Sequence, residues 1–161
     1  MSHVIVTALK VPINQSFDMI NQYIDVCPEN IWVEKSGGWP VWQQIYHLIT
    51  AVAFFTSGPD VQPAKTLVEE KYCGLQAAAP PEAVITREEM KTALAQTLQD
   101  IDALVANLED SDLTARNEGV YSRIGMEFTM AGTLVLLASH TQYHLGSCDA
   151  ALRNHGIPGV F

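Results

Sequence analysis

Apolar residues recur at intervals of three and four along several long stretches of this 161-residue chain. This spacing places apolar side chains on one face of an α-helix, whereas a half-buried strand would alternate apolar and polar residues. The clearest stretch begins with Thr86 and Glu89, which have the spacing of a capping box. Its apolar stripe continues through Met90, Leu94, Thr97, Leu98, Ile101, Leu104, Val105 and Leu108. The pattern predicts a helix with one buried face.

An earlier helix is predicted from Ser16 to Val26, where apolar residues again recur every three or four positions. Pro12 and Pro28 lie on either side of it, and we expect them to bracket the helix. Residues 4–9 form a short apolar run that fits either a helical turn or an extended arm.

Two further helices complete the pattern. One is predicted to begin at Pro40, because proline suits the first turn of a helix, and to end near Ser57, before Pro59. Its apolar positions are Val41, Ile45, Leu48, Ile49, Val52 and Phe55. The other is predicted from Glu127 to about Arg153 and ends before Gly156, a residue typical of helix C-termini.

A long connection, residues 57–85, separates the second and third predicted helices and contains Pro59, Pro63, Pro80 and Pro81. Within it, Thr66 to Tyr72 is long enough for one or two helical turns. No stretch has a convincing strand pattern. We therefore predict an all-α fold, a four-helix up-and-down bundle formed by a single domain over residues 1–161. Connections of this length are usually functional or mobile.

Charge and cysteine content exclude several classes of function. Eighteen acidic against nine basic residues give a net charge of −9, which disfavours binding to a phosphate backbone. No apolar run is long enough to span a membrane, and the N-terminus does not resemble a secretory signal. Three widely spaced cysteines, Cys27, Cys73 and Cys148, form no CxxC pair, so we expect reduced thiols and a cytoplasmic location.

The histidines carry the strongest chemical signal. His140 and His144 are at positions i and i+4 of the fourth predicted helix, which places both imidazoles on one face about 6 Å apart. His47 lies midway through the second helix. If these two helices are neighbours, the three side chains form a site for one divalent ion, such as zinc, nickel or iron, with coordination positions left open. The alternative is that the histidines are hydrogen-bonded core residues.

Residues near these histidines in the sequence limit the reactions that such a site could catalyse. Thr141 stands where the HExxH motif has its glutamate, so zinc-peptidase chemistry by that route is excluded. Ser147 and Gln44 are candidates to hydrogen-bond the imidazoles, or are ordinary polar helix residues. Cys148 lies about 12 Å along the helix from His140, so we interpret it as a core or pocket-wall residue. The acidic cluster Glu109, Asp110 and Asp112 is expected to be solvated.

The segment His140-Thr-Gln-Tyr-His144-Leu-Gly146, with His47 far upstream and Arg153-Asn154-His155-Gly156 after it, resembles the DinB-like superfamily. The resemblance implies a four-helix bundle with a metal bound by His47, His140 and His144, and a homodimer. Characterised members include thiol-dependent S-transferases, and others are described as metal-dependent hydrolases. Gly146-Ser147, where many members have Gly-Gln, leaves the substrate unassigned.

Three hypotheses for function follow. The first is a metal-dependent enzyme, a thiol S-transferase or a hydrolase, that acts on a small electrophile and in the first case uses a low-molecular-weight thiol. The second is a non-catalytic protein that binds a metal or a small ligand. The third is a structural bundle with core histidines. The sequence assigns no catalytic residue and no organic cofactor, and it predicts neither a nucleic acid nor a membrane as partner.

Overall fold

Seven α-helices account for most of residues 2–61 and 65–160, which a computed structural model describes. Residues 62–64, including Pro63 of the predicted connection, lie outside this part of the chain. The helices are α1 (Val4–Val26), α2 (Glu29–Trp32), α3 (Val41–Thr56), α4 (Glu70–Cys73), α5 (Arg87–Asn107), α6 (Glu118–Ile124) and α7 (Met130–Asn154). Two short antiparallel strands, β1 (Lys35–Ser36) and β2 (Trp39–Pro40), precede α3. The all-α fold class is confirmed.

The first helix is longer than predicted, because α1 passes through Pro12 instead of starting after it. Proline lacks the N–H group that an interior helical position donates. Packing on both sides compensates, since Val6 and Ile13 are seven residues apart on one face and both are fully buried. Asp110 also caps the helix, because its Oδ1 accepts hydrogen bonds from the backbone N–H groups of Ile5 and Val6 at 3.0 Å each. Asp110 is therefore not merely the solvated residue that the sequence predicts.

A tight β-hairpin formed by β1 and β2 leads directly into α3. Gly37 and Gly38, the two residues between β1 and β2, have positive φ values of 62° and 104°, which glycine adopts without strain. The hairpin closes through the Val41 N–H, which donates to the Glu34 carbonyl at 2.9 Å. The helix α3 then ends at Thr56, next to the predicted stop at Ser57.

The remaining long helices agree with the prediction to within a few residues. Thr86 and Glu89 form the expected capping box at the start of α5. Helix α7 starts at Met130, three residues later than predicted, because Thr129 caps it and accepts a hydrogen bond from the Gly132 N–H at 3.0 Å. Helix α6 lies between the third and fourth predicted helices, where no helix was predicted, and α4 overlaps the end of the candidate helical stretch Thr66–Tyr72.

The four long helices pack so that α1 and α3 each contact both α5 and α7. The buried side chains of Trp32 and Trp42, near the start of α3, belong to the shared core. Trp32 Nε1 donates to the Ile85 carbonyl at 2.9 Å, so the chain enters α5 at the end of the bundle where α3 begins. Helices α3 and α5 thus run in the same direction, and the up-and-down alternation is interrupted at the long connection.

No helix within the described ranges is long and apolar enough to cross a membrane. All three cysteines are buried and free. The Cys148 side chain is fully buried, and burial raises the pKa of its thiol, which agrees with the predicted role in the core.

Candidate metal centre

Helix α7 presents His140 and His144 on the side that faces α3. His144 follows His140 by four positions, and their ring centroids are 4.9 Å apart. His144 is buried, and His140 is half-buried. The regular spacing of one helix is sufficient to bring these two imidazoles together.

Helix α3 supplies the third imidazole, as the sequence predicts. The ring centroid of His47 lies 4.9 Å from that of His140 and 4.8 Å from that of His144. One nitrogen from each ring belongs to a group in which all the atoms lie within 4.8 Å of one another. We call these three side chains the three-histidine cluster.

A backbone carbonyl determines which nitrogen of His47 faces the cluster. The Nδ1 atom of His47 lies 2.7 Å from the carbonyl oxygen of Cys73, the last residue of α4. A carbonyl oxygen can only accept, so Nδ1 carries the proton and Nε2 keeps a free lone pair. That Nε2 atom lies 3.1 Å from His140 Nε2. The sequence predicted no role for Cys73 here, because the donated group is a backbone carbonyl that every residue possesses.

Burial keeps the cluster neutral. It lowers the pKa of His140 and of His144 from 6.5 to about 4, and the neighbouring His47 adds to the effect. Burial also lowers the pKa of His47, although the hydrogen bond to the Cys73 carbonyl opposes this change. Near neutral pH, few protons therefore compete with a metal ion for the imidazole lone pairs.

One pair of imidazole nitrogens already has the spacing expected around a small divalent ion. Two imidazole nitrogens that each lie about 2.0–2.1 Å from one tetrahedral ion are about 3.3 Å apart. The separation of 3.1 Å between His47 Nε2 and His140 Nε2 is close to this value. Three neutral nitrogen ligands suit zinc, nickel or iron, and leave at least one coordination position for water or substrate.

Two predicted hydrogen-bonding partners of the imidazoles contact other groups. Gln44 Nε2 donates to the carbonyls of Ser36 and Trp39, at 2.7 and 3.3 Å. The Ser147 hydroxyl lies 3.3 Å from the Ser36 hydroxyl. Thr141 is buried and donates to the Leu137 carbonyl of its own helix at 2.7 Å, so it does not replace the missing glutamate of a peptidase.

Two surface cavities lie elsewhere in the molecule. One, of about 520 Å³, lies between the start of α3 and the connection, where Trp42 and residues 78–81 contribute to its walls. The other, of about 460 Å³, is lined by residues 157–160 and the end of α1. Neither is lined by a member of the three-histidine cluster.

The fold and the site together define an all-α protein in which two adjacent helices bring three neutral imidazoles within reach of one ion. A sequence model of the DinB superfamily matches residues 13–148, a range that contains all three histidines, and the chain belongs to this superfamily. The resemblance seen in the sequence is thereby confirmed. No curated protein and no solved structure gives a significant match to this chain.

Proposed function

We propose that the protein binds one divalent transition metal, such as zinc, nickel or iron, through His47, His140 and His144, and that it is a metal-dependent enzyme. The observation that carries the proposal is the bond from His47 Nδ1 to the Cys73 carbonyl, because it leaves Nε2 unprotonated beside His140. Bound there, the metal would supply a Lewis acid able to polarise water or a thiol.

The contacts of His144 argue against a purely structural role. Among residues 2–61 and 65–160, its ring nitrogens form no hydrogen bond to a protein group, although the residue is only 8% exposed. A core histidine is normally hydrogen-bonded to another protein group. The ring nitrogens of His144 are not among the fully buried atoms that lack a partner in the described chain, so they keep some access to solvent. A ligand role would use the free lone pair of this ring.

The proposed reaction is thiol S-transfer or hydrolysis on a small electrophilic substrate. Superfamily membership supports this choice, because characterised members of the superfamily include thiol-dependent S-transferases and others are described as metal-dependent hydrolases. Two uncharged aromatic rings lie beside the cluster: the ring centroid of Phe55 is 6.5 Å from that of His140, and the ring centroid of Tyr143 is 5.2 Å from that of His144. They would limit the access of water. A non-catalytic metal or small-ligand binding protein is the second candidate, favoured by the absence of an acidic residue from the described cluster.

Metal content tests the proposal first. Tag-free protein purified without chelators is expected to contain about one zinc, nickel or iron per chain by elemental mass spectrometry. His140→Ala and His144→Ala should lose it and keep their helical circular dichroism. Wild-type protein that stays metal-free and refuses added zinc and nickel would contradict the proposal. Turnover of small electrophiles, with and without a low-molecular-weight thiol, then separates the enzyme from the binding protein.

We also propose a cytoplasmic homodimer formed through the outer face of α7. The exposed residues of α7 between Val135 and Ala150 carry no charge; they are Val135, Ser139, Gln142, Tyr143, Gly146 and Ala150. Arg153, which is exposed near the end of the same helix, pairs with Asp149. Copies that each carry a net charge of −9 repel least at an uncharged face. A Cβ atom at Gly146 would meet nothing within 4 Å, so Gly146→Glu should leave the monomer intact. Light scattering should show a wild-type dimer and a Gly146→Glu monomer; a wild-type monomer would contradict the proposal.

A further inference from the structure

The side chain of Gln43 lies on α3, one turn before His47, and its amide hydrogen-bonds to backbone groups of the connection. Its Nε2 donates to the carbonyls of Tyr72 and Ala77, at 2.9 and 2.7 Å. Its Oε1 accepts from the Ala79 N–H at 2.8 Å. Gln43 is 1% exposed, so these bonds are shielded from water.

The segment that Gln43 binds also supplies the hydrogen-bond acceptor for His47. Gln43 binds the carbonyl of Tyr72, and His47 binds the carbonyl of the next residue, Cys73. Two side chains one helical turn apart therefore bind consecutive peptide groups of α4. A displacement of this peptide pair would move the acceptor that keeps the His47 proton on Nδ1.

The backbone that follows these peptides is strained. Leu75 has a φ of 54°, the one positive value for a residue other than glycine in the described chain. The left-handed conformation is unfavourable for a leucine, so contacts outside the turn must stabilise it. Gln43 binds the chain on both sides of Leu75, at Tyr72 before it and at Ala77 and Ala79 after it.

We propose that Gln43 is a positioning residue of the metal centre. By binding the turn from Tyr72 to Ala79, it presents the Cys73 carbonyl to His47, and so directs the unprotonated Nε2 towards His140. This inference rests on the proposed metal-binding function, but its first consequence, the tautomer of His47, exists in the metal-free protein as well.

Gln43→Leu tests the inference, because leucine fills the space and removes all three hydrogen bonds. Gln44→Leu is a matched control: Gln44 is the next residue, is also 1% exposed, and binds the backbone of the hairpin instead of the connection. Nitrogen-15 NMR of the histidine side chains reports the tautomer of metal-free protein at pH 7.5. Competition with a chromophoric chelator measures the zinc affinity.

Gln43→Leu should mix the two tautomers of His47 and lower the zinc affinity about tenfold, at the small end of the effects seen for residues that support metal ligands. Gln44→Leu should keep the Nδ1–H tautomer and change the affinity less than twofold. Adding Leu75→Gly to Gln43→Leu should restore part of the affinity, because glycine adopts the left-handed conformation without strain.

A Gln43→Leu protein with the wild-type tautomer and the zinc affinity of Gln44→Leu would overturn the inference. If Gln43→Leu does not fold, Gln43→Asn keeps the amide but shortens it, and the same criteria apply. If wild-type protein is metal-free and binds neither zinc nor nickel, the proposed function fails, while the tautomer comparison in metal-free protein still decides the role of Gln43.

Discussion

The two helices that form the three-histidine cluster hold their imidazoles in different ways. On α7, the four-residue spacing of His140 and His144 is sufficient, and the helix itself provides it. On α3, His47 needs a distant carbonyl, that of Cys73, to select its tautomer. One half of the site is therefore encoded locally, and the other half depends on how a long connection folds over the bundle.

The largest expected effect comes from removing the ligands themselves. Each of His140→Ala, His144→Ala and His47→Ala should lower zinc affinity by more than about 100-fold, or about 2.7 kcal/mol. His47→Ala should retain the most affinity, because the pair on α7 remains preorganised. Titration calorimetry with zinc measures the series. If His47→Ala binds zinc as weakly as the double variant that lacks both α7 histidines, the α7 pair is not preorganised and the contrast between the two helices is wrong.

The free energy of unfolding of the metal-free protein should depend on pH, and mainly through the two histidines of α7. The folded-state pKa of His140 and of His144 is about 4, whereas an unfolded histidine titrates near about 6.5. The unfolded chain therefore binds more protons in this range, so the free energy of unfolding is greatest above about pH 6.5 and falls as the pH decreases towards 4. Urea denaturation between pH 7.5 and 4.5, with chelator present, measures this loss.

Variants identify the histidines responsible for that pH dependence. His140→Gln and His144→Gln should flatten it more than His47→Gln, because the bond to the Cys73 carbonyl offsets part of the effect of burial on the pKa of His47. Equal slopes in all three variants would mean that the two halves of the cluster respond to protons alike.

The next prediction concerns the contact that joins α3 to α7 at one end. Asn117 Nδ2 donates to the Phe55 carbonyl at 2.8 Å and to the Thr133 hydroxyl at 3.0 Å. Asn117→Ala should lower the free energy of unfolding by about 2 kcal/mol, since it leaves buried acceptors without a donor. Asn107→Ala, in an exposed position where the side chain bonds only its own helix, should cost less than about 0.5 kcal/mol. If denaturant titrations show equal losses of unfolding free energy in the two variants, Asn117 does not stabilise the contact between α3 and α7.

The sequence predicted elements whose determinants are local. The capping box of Thr86 and Glu89 and the apolar stripe after it located α5, and the same spacing rule located α3 and α7. The sequence-based prediction failed where contacts between residues that are distant in the sequence determine where a helix forms. Helix α1 passes through Pro12 because Val6 in its first turn is buried and because Asp110, far along the chain, caps its start. Helix α6 forms around a cap, Asn117, that also binds α3 and α7.

The candidate site likewise has a part that the sequence predicts from local spacing and a part that depends on contacts distant in the sequence. The spacing of His140 and His144 made that pair predictable, and the core-facing position of His47 made it a reasonable third member. The Cys73 carbonyl and the support from Gln43 could not be predicted. Both depend on the path of the connection, and a backbone carbonyl has no signature in a sequence.

The smallest effect is predicted for Ser147→Ala. Ser147 follows His144 by three residues, so the sequence made it a candidate to support that imidazole. Its hydroxyl instead lies 3.3 Å from the Ser36 hydroxyl, and Ser36 also donates to the Ser147 carbonyl at 2.7 Å, a bond that alanine keeps. We expect zinc affinity within twofold of wild type and a stability loss of at most about 1 kcal/mol. A tenfold loss of affinity in the chelator competition would mean that the α7 pair also needs outside support, and the contrast between the two helices would no longer hold.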